Sequence, residues 1–223
     1  MKKKKIITVI AAVAVVASLA LGSLAFFTSK ETVKNSFTTV AQGKEDKGGD
    51  AGIDINENFD ENQAKNMVPG DTVNKDVQVD STASYPQFIR VKLDPNWVDL
   101  KGNINENLNK TDKDSINLNC VNLTDTITDN KWFKSGDYYY YIAAVQPKGQ
   151  AGDTTARLLD SVTLASNTEE AVLGNGFTVD VTAESVQASN DAYTTWEGIP
   201  QNVIDKLKTL QQNKTEANTT TAK

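Results

Sequence analysis

Short segments in which apolar and polar residues alternate constrain the fold of this chain more than any other feature. The clearest of these segments is 177–183, where every second residue is apolar. A period of two places the apolar side chains on one face of a β-strand. Similar patterns occur at 53–55, 73–79 and 89–93, and four consecutive tyrosines occupy 138–141. Turn signals separate these segments, so the sequence predicts an all-β fold, an antiparallel β-sandwich with long loops.

The C-terminal part of the chain predicts the one helix of this fold. After Pro200, apolar residues recur at the spacing of one helix face, at Val203, Ile204, Leu207 and Leu210. The remaining residues are rich in Asn, Thr and Lys, a composition typical of disorder. We therefore expect a single sandwich domain at 53–210 and a disordered tail at 211–223.

The first 25 residues have the features of a secretory signal peptide. Four lysines precede an apolar run at 6–21, and small residues follow it. Ser23 and Ala25 stand at the two positions where a signal peptidase requires small side chains, so we expect cleavage between Ala25 and Phe26. The alternative is an uncleaved membrane anchor, because the apolar run is long enough to span a bilayer.

The composition argues against several classes of function. The chain has no histidine, which removes Ser-His and Cys-His catalysis and the common zinc sites. Its formal net charge of −6 argues against nucleic acid as a partner. The single cysteine, Cys120, cannot form an intrachain disulfide, and we interpret it as a small buried residue, with an intermolecular bridge as the alternative. We expect no enzymatic activity, no cofactor and no metal.

The segment that follows the expected cleavage site, 26–41, has strand character. Phe27, Val33 and Phe37 all fall on odd positions and would share one face of an extended strand. We interpret this face as a donor strand that fills a groove in a neighbouring subunit, with the Gly-rich segment 42–52 as a flexible linker. Two alternatives stay open: a helix with an apolar stripe, or an ordinary first strand of the chain's own domain.

Two lysines of the same segment, Lys30 and Lys34, are candidates for a covalent link. An isopeptide bond from either amine to an asparagine of the next subunit would strengthen an extracellular fibre that lacks disulfides. The alternative interpretation, which we prefer, is that both are solvated lysines on the opposite face of the strand.

Four motifs together resemble the TasA/camelysin family of exported Gram-positive proteins. The end of the signal, 19–28, is similar to substrates of the dedicated SipW-type signal peptidase. The segment 36–40 resembles the family's next strand. The Pro-Gly-Asp turn and strand at 68–79 and the strand at 177–188 are similar to two further elements of the family, although Val77 replaces a usual Phe.

This resemblance implies a fold and a function. The fold would be a jelly-roll-like sandwich, and the mature N-terminus would enter the next subunit by strand addition. Some family members are labelled metalloproteases, but this chain lacks the His-Glu-x-x-His motif and any histidine. We therefore predict a secreted structural subunit of a biofilm matrix fibre or pilus, in the extracellular matrix or at the cell surface. Its partners would be further copies of itself, an accessory matrix protein and the dedicated signal peptidase.

A binding module is the alternative function. A monomeric extracellular sandwich would use its loops to bind a carbohydrate or a host protein, in the manner of an adhesin. Such a module would keep 26–40 folded back on its own domain. A surface protease is a third hypothesis and requires chelator-sensitive hydrolysis by the pure protein.

Overall fold

The computed structural model describes residues 28–37, 52–59, 63–64, 67–99, 101–168, 172 and 175–220, and for 28–37 and 212–220 it describes the backbone alone. The predicted signal peptide, the cleavage site at Ala25 and Phe26, and Phe27 lie outside these residues. The predicted linker also lies outside them, except for Gly52.

Two β-sheets make up the body of the described chain. The order in the six-stranded sheet is β1 (Thr28–Phe37), β10 (Gly176–Gln187), β4 (Gln87–Val98), β8 (Tyr138–Tyr141), β7 (Trp132–Ser135) and β6 (Leu123–Thr124). The order in the four-stranded sheet is β2 (Ile53–Phe59), β3 (Thr72–Ser81), β9 (Leu159–Leu164) and β5 (Ile116–Cys120). All pairs are antiparallel except β6 with β7. The predicted all-β sandwich is confirmed.

Alternation along the strands builds the core between the sheets. Val77 and Val79 of β3 are fully buried, and so are Val179 and Val181 of β10 in the opposite sheet. All four belong to one apolar cluster that draws residues from both sheets. Full burial of a valine side chain contributes roughly 1.5–3 kcal/mol, so this period-two pattern is the main driving force for the sandwich.

A second apolar layer covers the outer face of the six-stranded sheet. Helix α2 (Gln201–Thr220) buries Val203 and Leu207 against this face, as the helical spacing predicts. A 3₁₀ helix at Ala192–Thr195 adds Tyr193, whose ring meets that of Phe88 edge to face at 5.9 Å. These contacts explain why the polar outer face expected of a two-layer sandwich is apolar here.

The C-terminal helix is longer than the sequence predicts. It continues to Thr220, through most of the segment 211–223 that we expected to be disordered. Gln, Lys, Glu and Ala in this segment are good helix formers, and each can extend a helix whose first turns are held by packing.

The segment between β4 and β5, which shows weak alternation, is attached to the core through Trp97. Helix α1 (Glu106–Thr111) supplies Asn109, whose side-chain oxygen accepts a hydrogen bond from the Trp97 main-chain nitrogen at 2.7 Å. The indole nitrogen of Trp97 donates to the carbonyl oxygen of Asp112 at 2.9 Å. Because Trp97 is buried, these bonds fix the segment against the sandwich.

Candidate functional site

The candidate site is the edge of the six-stranded sheet where β1 meets β10. β1 is the outermost strand of this sheet, and its ladder partner among the described strands is β10. The pairing is antiparallel and extends over ten positions, from Thr28 opposite Val186 to Phe37 opposite Phe177. On its other side β10 pairs with β4 along twelve residues. β10 is thus held firmly by one neighbour and presents its other edge to β1.

The β1 positions that we assigned to a groove-filling face lie beside core residues of β10. Val33 is the ladder partner of Val181, and Phe37 is the ladder partner of Phe177. Val181 and Phe177 are buried in the core cluster, and the Phe177 ring packs edge to face on Trp97 at 5.6 Å. Directly opposite residues of an antiparallel ladder are close neighbours, so the register places both positions at the core.

The structure answers part of the question about the first strand. The strand assignment for β1 is confirmed, and a helix with an apolar stripe is wrong for Thr28–Phe37. In the single chain this strand pairs with the chain's own β10. Whether a neighbouring subunit supplies it in an assembly stays a prediction.

Both candidate isopeptide lysines occupy ladder positions opposite acidic residues. Lys30 is the ladder partner of Glu184, and Lys34 is the ladder partner of Asp180. Neither lysine has an asparagine as its direct ladder partner on β10. Opposite charges across a ladder stabilise the pairing by a few tenths of a kcal/mol to about 1 kcal/mol each, which favours the register that is seen.

Glu184 is already neutralised by a buried arginine. Nε and Nη2 of Arg90 donate to Oε2 of Glu184 at 2.9 and 2.6 Å, and Nη1 donates to the carbonyl oxygen of Glu197 at 3.1 Å. The guanidinium also lies 3.9 Å from the ring centroid of Tyr138 and 5.1 Å from that of Trp196. Arg90 therefore anchors the outer face of β10 and compensates most of the charge of the carboxylate at the ladder position opposite residue 30.

A buried polar chain lies in the core close to the Thr28 end of the β1 ladder. The Ser81 hydroxyl donates to Oε1 of Gln87 at 3.2 Å, and Nε2 of Gln87 donates to the Ser185 hydroxyl at 3.0 Å. Ser185 is the ladder partner of Ser29 on β1. This group was not predicted from the sequence, and its signal is that each of the three polar residues continues the alternating series of a predicted strand.

A second buried polar group, Lys75 with Glu57, lies on β3 and β2 in the opposite sheet. Nζ of Lys75 is 3.0 Å from Oε1 of Glu57, and both side chains point into the sandwich. The sequence signal was present, because Lys75 stands in the same alternating series as Val73 and Val77. Its partner was not predictable, because the β2–β3 register decides which acid meets it.

The described residues show neither a metal centre nor a membrane-spanning helix. Among them, no group of three or more His, Cys, Asp or Glu side chains is arranged to bind a metal ion. No helix in the described part of the chain combines the length and the apolar character that crossing a bilayer requires.

Comparison with protein-family models, with curated proteins and with solved structures finds no match to this chain. The class that the geometry defines is a two-sheet β-sandwich whose first strand forms the edge of one sheet. The resemblance to the TasA/camelysin family stays a prediction.

Proposed function

We propose that this chain is a secreted structural subunit that polymerises by inserting β1 beside β10 of the next copy. The observation that carries the proposal is the position of β1, a ten-residue strand at the sheet edge whose ladder partner is β10 alone among the described strands. Withdrawal of β1 would leave the twelve-residue β10 as an open edge with buried valines beside it. Open edges of this kind pair readily with another strand.

Exchange between copies would reproduce the contacts that the single chain makes. The same β1 would pair with the same β10, so the interface needs no new surface complementarity. Once residues 1–25 are removed, β1 would be close to a chain end. It could then separate from β10 without any other part of the chain having to pass through a loop. Successive insertions in one direction form a head-to-tail interface that does not close, which generates a filament.

A biofilm matrix fibre of the TasA/camelysin type is the form of this proposal that the motif resemblance supports. The acidic net charge of the chain would keep the secreted subunit soluble before assembly. Main-chain hydrogen bonds would supply affinity along the ladder, and the residues at positions 33 and 37 would supply specificity.

A monomeric extracellular binding module is the second candidate. The pairing of β1 with β10 of the same chain favours it, because a folded-back first strand is what a stable monomer requires. The two candidates differ in whether this pairing exchanges between molecules at high concentration.

Electron microscopy of two mature chains tests the proposal. The chain that begins at Phe26 should form filaments with a regular axial repeat, whereas the same chain without 26–40 should form none. A synthetic peptide of sequence 26–40 should bind the truncated chain and keep it monomeric. Ordered filaments from the truncated chain would refute strand exchange, and a dispersed full-length monomer at high concentration would favour the binding module.

A further inference from the structure

Lys75 occupies a position in the sandwich core that lysine rarely takes. It lies on β3 on the same face as Val73, Val77 and Val79, and its side chain is 0% exposed. Lysine is among the residues least often fully buried, and a buried ammonium requires a close partner. The position therefore calls for a specific chemical explanation.

The partner of Lys75 is a carboxyl group on the adjacent strand. Oε1 of Glu57 lies 3.0 Å from Nζ of Lys75, and the Glu57 side chain is 10% exposed. In the β2–β3 ladder Phe59 is directly opposite Lys75, and Glu57 is opposite Val77, so the two reacting groups are diagonal neighbours. The Phe59 ring centroid is 5.4 Å from Nζ. An aromatic ring and the strand pairing thus hold the amine and the carboxyl together, largely away from water.

Burial disfavours the charged form of the Lys75 amine. Desolvation lowers the pKa of the Lys75 amine below its ordinary value, and the charges of Glu57 and Asp180 offset this effect only in part. A proton that passes from the ammonium to the Glu57 carboxylate leaves a neutral amine, which is a nucleophile, beside a neutral carboxylic acid, which is an electrophile. The fold holds the amine and the carboxyl at hydrogen-bond distance. The reaction therefore avoids the entropy cost of bringing two free molecules together.

We propose that Lys75 and Glu57 form an intramolecular isopeptide bond. Nζ of Lys75 attacks Cδ of Glu57, the new C–N bond forms, and the C–O bond to the carboxyl hydroxyl breaks. The hydroxyl leaves with a proton from the amine as one molecule of water. The ammonium and the carboxylate thus become one neutral amide and water, and no oxidant, reductant or further reactant is required.

The bond would staple the edge strand β2 to β3. β2 is the outermost strand of the four-stranded sheet, and it follows β1 and residues 38–51 along the chain. If β1 is inserted in a neighbouring subunit, a force applied to β1 would act on the domain first at β2. The isopeptide bond would then prevent β2 from separating from β3. A chain with one cysteine cannot obtain such a link from an intrachain disulfide. The bond itself requires only the folded single chain and does not depend on polymerisation.

Mass spectrometry of the purified, unreduced protein tests the inference. The intact mass should be lower by one water than the mass calculated for the same chain from its measured N-terminus. Trypsin should not cut after an acylated Lys75, so peptide 66–90 should appear joined to peptide 48–65. Fragmentation should place the junction at Lys75 and Glu57. An intact mass equal to the calculated mass, together with separate tryptic peptides, would overturn the proposal. A junction at any other residue would also overturn it.

Two comparisons separate a covalent bond from an ion pair. Lys75→Met keeps a long side chain without an amine. The intact mass of this variant should equal the mass calculated from its sequence, with no loss of water. The pair Lys206 and Asp129 is a matched control within the native protein, because its N–O distance is 2.7 Å but its side chains are 29% and 55% exposed. Because water reaches both side chains of this pair, its peptides should stay separate. Loss of one water in Lys75→Met as well would assign the water loss to another site and contradict the inference.

Discussion

Replacement of Arg90 by methionine should destabilise the fold by about 3–5 kcal/mol, the usual effect of removing one partner of a buried ion pair. The side chain of Arg90 is 6% exposed and that of Glu184 is 13% exposed. Methionine retains apolar volume but removes both hydrogen bonds to Glu184 and the one to the Glu197 carbonyl. It also removes the stacking on Tyr138 and Trp196, so the buried Glu184 charge loses its main compensation.

Two further variants identify the cause. The double variant Arg90→Met with Glu184→Leu should recover more than half of the lost stability, because no charge then stays buried. Lys92→Met removes a partly exposed partner of Asp137 at 3.6 Å and should change stability by less than about 1 kcal/mol. Urea unfolding followed by tryptophan fluorescence measures all three. A loss below about 1 kcal/mol for Arg90→Met, or a double variant as unstable as the single one, would refute this reasoning.

The same site reports on the register of β1. Lys30 is the ladder partner of Glu184, so the register predicts that Lys30 contributes more to stability in the Arg90→Met background. Lys30→Ala should therefore have little effect in the native protein and a clear additional effect in that background. Because the single chain makes the same β1–β10 pairing, this coupling should appear in the stability of the monomer, and its absence would contradict the register.

Three further predictions concern assembly, acid sensitivity and processing. Phe37→Ala should weaken the β1–β10 pairing by at least about tenfold, in the monomer and in filaments alike because both use this pairing, and Lys34→Ala should weaken it far less; a monomer as stable to urea as the native chain would contradict the register. Partial burial alone would raise the pKa of Asp94, but Lys113, whose Nζ is 3.1 Å from Oδ1 of Asp94, holds this pKa below its ordinary value. The ionised Asp94 therefore stabilises the fold above about pH 4, and this contribution is lost as the pH falls further. In Asp94→Asn the midpoint of urea unfolding should fall less on acidification than in the native protein. The same pH dependence in both proteins would contradict this. Mass spectrometry of secreted protein should find Phe26 as the first residue, and a start beyond position 32 would remove half of the donor strand.

Alternation in the sequence was sufficient to predict the strands that face the core on one side. β3, β8 and β10 all coincide with segments of apolar periodicity or aromatic residues. The start of the C-terminal helix was also predictable, because proline is favoured just before or at the first turn and apolar residues follow at helical spacing. These elements carry their own burial pattern, so no knowledge of their partners is needed.

The region between β4 and β8 was not predictable, because its elements depend on tertiary partners. β5 alternates, but its asparagines have low strand propensity, and its ladder with β9 supplies what local preference does not. β6 has only two residues and exists through a parallel pairing with β7. The contact of Lys75 with Glu57 has the same origin, since one residue of register shift would place a different side chain beside the amine.

Disulfide trapping between two variants tests strand exchange most directly. Thr32 and Thr182 are ladder partners, and directly opposite residues have the Cα separation that a disulfide accepts. One chain would carry Thr32→Cys and the other Thr182→Cys, both with Cys120→Ser, and Asp137→Cys would replace Thr182→Cys in the control. Mixed filaments should yield covalent dimers for the first combination and none for the control. Filaments without such dimers, while a chain with both cysteines closes an internal link, would contradict exchange of β1 between subunits.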